Sequence, residues 1–70
     1  MSLNLSNKGI TDDDNIFAQI SHHSKYILID LSNNHLKSLP SDLSSFVNLE
    51  ELNLLKNEFN DVYFYSLLLV

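Results

Sequence analysis

Apolar and polar side chains alternate over three short stretches of this chain: Leu3-x-Leu5, Ile29-x-Leu31 and Leu52-x-Leu54. Alternation sends every second side chain to one face of an extended backbone, so each stretch predicts a short strand with its Leu or Ile side chains turned inward. A further apolar residue follows each strand, namely Ile10, Leu36 and Phe59, and these predict a second buried column beside the first. Between the strands the pattern changes. Thr11-Asp12-Asp13-Asp14 offers cap and first-turn residues for a helix. Ile16, Phe17 and Ile20 then recur at helical spacing, which predicts a short helix from about Asp13 to His22. The second connection carries Leu39-Pro40 and then Leu43, Phe46 and Leu49. Pro40 biases Leu39 toward extended backbone, so this arc is predicted to be extended first and to make a single helical turn near Ser41 to Ser45.

The repeated phrase is longer than its strand. Tyr26 stands three residues before Ile29 and Leu49 three before Leu52, and the copies continue to Asn34-x-Leu36 and Asn57-x-Phe59. Copies two and three therefore read L-x-x-L-x-L-x-x-N-x-L, and the copies are spaced by 26 residues (Leu3 to Ile29) and 23 residues (Ile29 to Leu52). This pattern resembles the leucine-rich repeat over roughly the first six-sevenths of the chain. The resemblance implies an α/β fold: a leucine-rich-repeat right-handed solenoid of three short parallel strands with mixed helical and extended crossovers. It divides the single unit 1–70 into repeats at about 1–25, 26–48 and 49–70, the last incomplete. Leu39-Pro40-x-x-Leu43 is similar to the 23-residue class of the family, whereas the first repeat is similar to a longer, more helical class. Asn34 and Asn57 occupy the family's Asn position, where the side chain forms a ladder of hydrogen bonds to backbone groups at the turn out of the strand. Lys8 stands at that position in the first repeat and departs from the pattern.

The resemblance also implies a function. Side chains between the core positions project from the concave strand face: Ser2, Asn4 and Ser6; Leu28, Asp30 and Ser32; Glu51, Asn53 and Leu55. Such positions carry partner recognition in this family, with Asn4, Asp30 and Asn53 as the central column and Leu28 and Leu55 as apolar anchors. The expected function is that of a protein-protein interaction module, a scaffold or regulator binding another protein on this face. The alternative is a set of sensor or targeting repeats from a larger signalling enzyme, such as a kinase, phosphatase or ubiquitin ligase. A third reading is self-association through exposed strand edges and the uncharged tail at 63–70. That tail, Tyr63-Phe64-Tyr65-Ser66-Leu67-Leu68-Leu69-Val70, reads as a broken-off third repeat, with Val62 as its next apolar position, in preference to a strand covering the last edge. With neither end resembling a cap, the chain is expected to be a fragment, a truncated gene product or one piece of a longer array.

Composition narrows the partners. Four Lys and no Arg stand against nine carboxylates, a formal charge of −5. Nucleic acid and anionic membrane both select clustered cations, so neither is an expected partner. Without Cys there is no disulfide framework, and no basic start followed by an apolar stretch marks a signal peptide, which leaves the cytoplasm as the expected location. His22-His23 cannot jointly clasp one metal ion from adjacent helical positions, and surface histidines at a helix end are the expectation there. Asp12-Asp13-Asp14-Asn15 lacks the glycine and distal Glu of a calcium loop, and reads as a helix start. No nucleophile elbow, phosphate loop or H-E-x-x-H string occurs. No catalytic residue, metal site or cofactor is expected.

Overall fold

A computed structural model describes residues 1–59 together with the backbone of 66–68. Three strands, β1 (Ser2–Asn4), β2 (Leu28–Asp30) and β3 (Glu51–Asn53), lie side by side in an open parallel sheet. Their register pairs Leu3 with Ile29 and Ile29 with Leu52, so the alternation seen in the sequence becomes a row of apolar side chains across the sheet. Helical turns fill the connections, an α/β-like arrangement.

The ladder runs past the formal strand ends. Leu5 N–H donates to Asp30 C=O at 2.8 Å, and Leu31 N–H to Asn53 C=O at 2.9 Å. Two residues on, Asn7, Asn33 and Lys56 each take left-handed backbone, with φ of 55°, 57° and 57°. All three occupy the same place after their strand, and this repeated kink turns the chain out of the sheet toward the crossover. His35 N–H then donates to Ile10 C=O (2.8 Å), and Glu58 N–H to Leu36 C=O (2.9 Å), tying successive copies together a second time.

The core lies between the sheet and the crossovers. Ile29, Leu31, Leu52, Leu54 and Phe17 are fully buried, joined by Ile10, Leu36, Phe46 and Leu49. Phe59 is half-buried against this cluster. Phe17 and Phe46 meet in a tilted pair with centroids 4.7 Å apart and bind the first crossover to the second.

The helix expected from Asp13 to His22 does not form. In its place stand three 3₁₀ turns, Asp12–Asp14, Ile16–Gln19 and His23–Lys25, broken by left-handed Asn15 (φ 49°) and His22 (φ 57°). Two physical causes act together. A helix of about ten residues is marginal without strong helix formers, and the Asp, Asn and His side chains here favour turns over helix interiors. Asp14 illustrates the competition, because its carboxylate accepts the Thr11 N–H at 2.7 Å. The apolar spacing still served its purpose: Phe17 is buried, and Ile16 and Ile20 are half-buried. In the second crossover one 3₁₀ turn, Leu43–Ser45, falls close to the expected place.

The end of the chain differs from a broken-off third repeat. β4 (Ser66–Leu68) returns antiparallel along β3, pairing Glu51 with Leu68 and Asn53 with Ser66. An antiparallel strand satisfies the open backbone groups of the β3 edge, the alternative that the sequence ranked second. The expectations for Val62 and for Tyr63, Phe64, Tyr65, Leu69 and Val70 lie outside the described residues. Among the described residues no helix is long and apolar enough to cross a membrane.

Candidate partner-binding strip

The parallel register brings the proposed recognition residues into rows. Ser2, Leu28 and Glu51 form one row, and Asn4, Asp30 and Asn53 the next. The central row has an additional, local task. Asn4 Oδ1 accepts the N–H of Ser6 at 3.0 Å, Asp30 Oδ1 that of Ser32 at 2.9 Å, and Asn53 Oδ1 that of Leu55 at 3.1 Å. Each is an Asx turn, in which a short polar side chain ends a strand by holding the backbone two residues on. Asn4 also accepts the Ser6 hydroxyl at 2.7 Å. The role expected of these three side chains toward a partner does not include this use, which a polar residue at the end of each strand signals.

The strip is narrower than expected. Ser32 is buried, at 8% exposure. Ser6 is half-buried, whereas Leu55 is 44% exposed. Leu28, Asp30, Glu51 and Asn53 are half-buried and Asn4 is exposed. Ile27, 43% exposed, donates its N–H to Met1 C=O, and by alternation its side chain lies on the face opposite Leu28. The carboxylates of Asp30 and Glu51 stand on the strip, and no lysine does.

Below the strip runs the Asn ladder. Asn34 is 3% exposed; its Oδ1 accepts the N–H groups of Lys8 (3.1 Å) and Ile10 (2.9 Å). Its Nδ2 donates to the carbonyls of Leu5 (3.0 Å), Leu31 (2.9 Å) and Ser32 (3.2 Å). One copy below, Asn57 Oδ1 accepts Leu36 N–H at 3.0 Å, and Nδ2 donates to Leu31 C=O (2.9 Å) and Leu54 C=O (3.1 Å). Each amide thus fastens its own turn to the turn before it. Lys8, at the equivalent position, joins the ladder through its backbone N–H, which Asn34 Oδ1 accepts.

On the crossover side, Asp12 joins the first connection to the second. Its Oδ1 accepts Lys37 N–H (2.9 Å) and its Oδ2 accepts the Ser38 hydroxyl (2.7 Å), and these bonds hold its carboxyl below the ordinary range. Asp12 also stands first in the Asp12–Asp14 turn, at the place expected of a helix start. Beside it a cleft of about 220 Å³ is floored by Ile16, Leu36, Leu39 and Pro40, below the roughly 300–1,000 Å³ of ligand pockets. His35 Nδ1 pairs with Glu58 Oε2 across an open hollow, but no hydroxyl lies within hydrogen-bond reach of the ring among the described residues. His23 is not a surface residue as expected: it is half-buried, edge-on to Phe46 at 4.7 Å, because the 3₁₀ turn directs it at the core. No group of three or more metal-type ligands gathers among the described residues.

No protein-family model matches the chain, and neither a curated protein nor a solved structure does. The functional reading therefore rests on geometry and on the repeated residues.

Proposed function

We propose that this chain is a protein-binding module of the leucine-rich-repeat type, a short right-handed solenoid that presents the strip around Leu28, Asp30, Glu51 and Asn53 to another protein. It acts in the cytoplasm, as a scaffold or regulator, without catalysis, cofactor, nucleic acid or membrane. One observation carries this reading: three parallel strands in register repeat the same devices. Each has an inward Leu or Ile pair, an Asx residue between them, and a left-handed residue two positions further on. Repetition of the backbone at each step makes a regular surface whose outward side chains are free to vary, which is how stacked repeats generate binding faces. The mixture of half-buried Leu28 with two carboxylates is suited to a partner that brings an apolar side chain and a cation.

The test compares variants on and off the strip. A partner recovered by proximity labelling in cells should be lost with Leu28→Glu/Glu51→Lys and retained with Val47→Lys, which changes a 73% exposed residue of the second crossover. Far-UV circular dichroism must show both variants folded. Equal retention, or equal loss in two folded variants, would refute the proposal.

A further inference from the structure

Two side-chain bridges join the first crossover to the second. Asp12 Oδ2 accepts the Ser38 hydroxyl at 2.7 Å, and Asn15 Oδ1 accepts the Ser41 hydroxyl at 3.1 Å. The bridges stand three residues apart on each crossover, from 12 to 15 and from 38 to 41, and so hold the two arcs at a set separation. All four bridging residues line the cleft of about 220 Å³. Its floor is anchored in the core: Leu36 is 1% exposed, and Ile16, Leu39 and Pro40 are half-buried. We propose that this cleft receives one arginine side chain of a partner protein, its stem over Ile16, Leu39 and Pro40 and its guanidinium on the Asp12 carboxylate.

Size and charge together select this occupant. The cleft is smaller than the roughly 300–1,000 Å³ of small-molecule pockets, and a slot of that kind suits a single long side chain. An apolar floor with a carboxylate at its lip matches a side chain that is apolar along its stem and cationic at its tip. A carboxylate offers about four lone-pair sites, and two of those on Asp12 are taken, by the Lys37 N–H and the Ser38 hydroxyl. The rest are open to a guanidinium, whose planar donors and weak hydration suit it better than an ammonium to a partly apolar slot.

The charge on Asp12 is held and left uncompensated. The Lys37 N–H first, and the Ser38 hydroxyl next, keep the carboxyl below its ordinary range, so it is ionised at neutral pH. No ion pair engages Asp12 among the described residues, and the Lys37 ammonium exerts the least of the influences on it. Asp13 and Asp14 in the same turn, and the net charge of −5, draw a cation toward this side. Because the bridges fix the walls, little side-chain freedom is left to lose on docking. The cleft uses no residue of the partner-binding strip, so the two readings stand or fall separately.

An NMR titration of the isotope-labelled 70-residue chain with the capped tripeptide Ac-Gly-Arg-Gly-NH2 tests the proposal. Amide shifts should saturate at Asn15, Ile16, Leu39 and Ser41 and leave Asp30 and Glu51 unmoved. Citrulline in place of the arginine keeps the shape and removes the charge, which should weaken binding about tenfold. Asp12→Asn keeps an accepting oxygen for the bridge and should weaken arginine binding to the same degree. Asp13→Asn makes the same change in net charge outside the cleft and should alter binding little. If Asp12→Asn fails to fold, the citrulline comparison on the wild type decides. Shifts spread over every acidic residue, equal binding of the citrulline peptide, or equal losses in Asp12→Asn and Asp13→Asn would each overturn the proposal. Saturable shifts confined to Asp30 and Glu51 would overturn it as well, and would put the cation on the strip.

Discussion

Asn34→Ala should be the most damaging polar substitution in the chain, and its cost can be worked out bond by bond. The amide touches five backbone groups, but not all are orphaned when it is removed. Leu31 C=O keeps Asn57 Nδ2, and Ser32 C=O keeps the Asn7 N–H. Lys8 is exposed, so water can reach its N–H. The Ile10 N–H and the Leu5 C=O remain, the first in a residue 5% exposed and the second in one half-buried. An orphaned buried group costs about 1–3 kcal/mol. Full cost for Ile10 and a partial cost for Leu5 give about 2–4 kcal/mol. A chain of 70 residues has only about 3.5–10 kcal/mol in total, so the variant should be at or near unfolding. Asn57→Ala orphans the Leu36 N–H and should cost about 1–3 kcal/mol. Asn53→Ala releases only the N–H of exposed Leu55 and should cost about 0.5 kcal/mol. Urea denaturation followed by circular dichroism measures all three. Asn34→Ala costing no more than Asn53→Ala would refute the reasoning, because the ladder would then be ornamental.

Other residues give further tests. Lys56 holds left-handed backbone where the two earlier copies use Asn, a residue that tolerates it better, so Lys56→Asn should stabilise by about 0.5–1 kcal/mol in the same urea experiment. Phe17→Ala empties the fully buried centre of the Phe17–Phe46 pair at a cost of about 3–5 kcal/mol, enough to abolish the cooperative melt, whereas Phe17→Leu should still fold. The folded-state carboxyl of Asp12 lies below its ordinary 3.8, chiefly because Lys37 N–H donates to it. Its stabilisation is thus present above pH 3.8 and is lost as pH falls through the lowered folded value, so thermal melts of wild type and Asp12→Ala should converge in strong acid. A gap that stays constant from neutral to acid pH would contradict this.

How far the sequence could be read depended on the range of the interaction. Strand positions were legible because Leu3, Ile29 and Leu52 sit in strict alternation, and that alternation survives any choice of connection. Asn34 and Asn57 were legible because they stand at the Asn position of the repeat that the phrase resembles, where a buried amide pairs with backbone groups. The first crossover was not. Ile16, Phe17 and Ile20 satisfy a helical spacing, yet Asn15 and His22 break the turn on either side, and spacing alone does not report a left-handed residue. β4 was ranked second because its pairing with β3 is set across the sheet, and Ser66-Leu67-Leu68 carries no local sign of direction. The left-handed kinks at Asn7, Asn33 and Lys56 had a signal that was overlooked: a fixed position after each strand, twice filled by Asn.

The Asx turns change what a functional experiment on this surface can mean. Asn4, Asp30 and Asn53 stand in the middle of the proposed strip, and each also holds the backbone N–H that ends its strand. Alanine at any of them alters a turn as well as a surface, so lost binding would not separate recognition from folding. Leu28 and Glu51 separate the two. They share a row across β2 and β3, and no side-chain hydrogen bond engages Glu51 among the described residues. Exchanging Glu51 for Lys reverses a charge without removing a turn. A partner sensitive to Glu51→Lys but indifferent to Asn53→Asp, which keeps the accepting oxygen, would be reading the strip by charge at the strand start. A partner with the opposite sensitivity would be reading the central row.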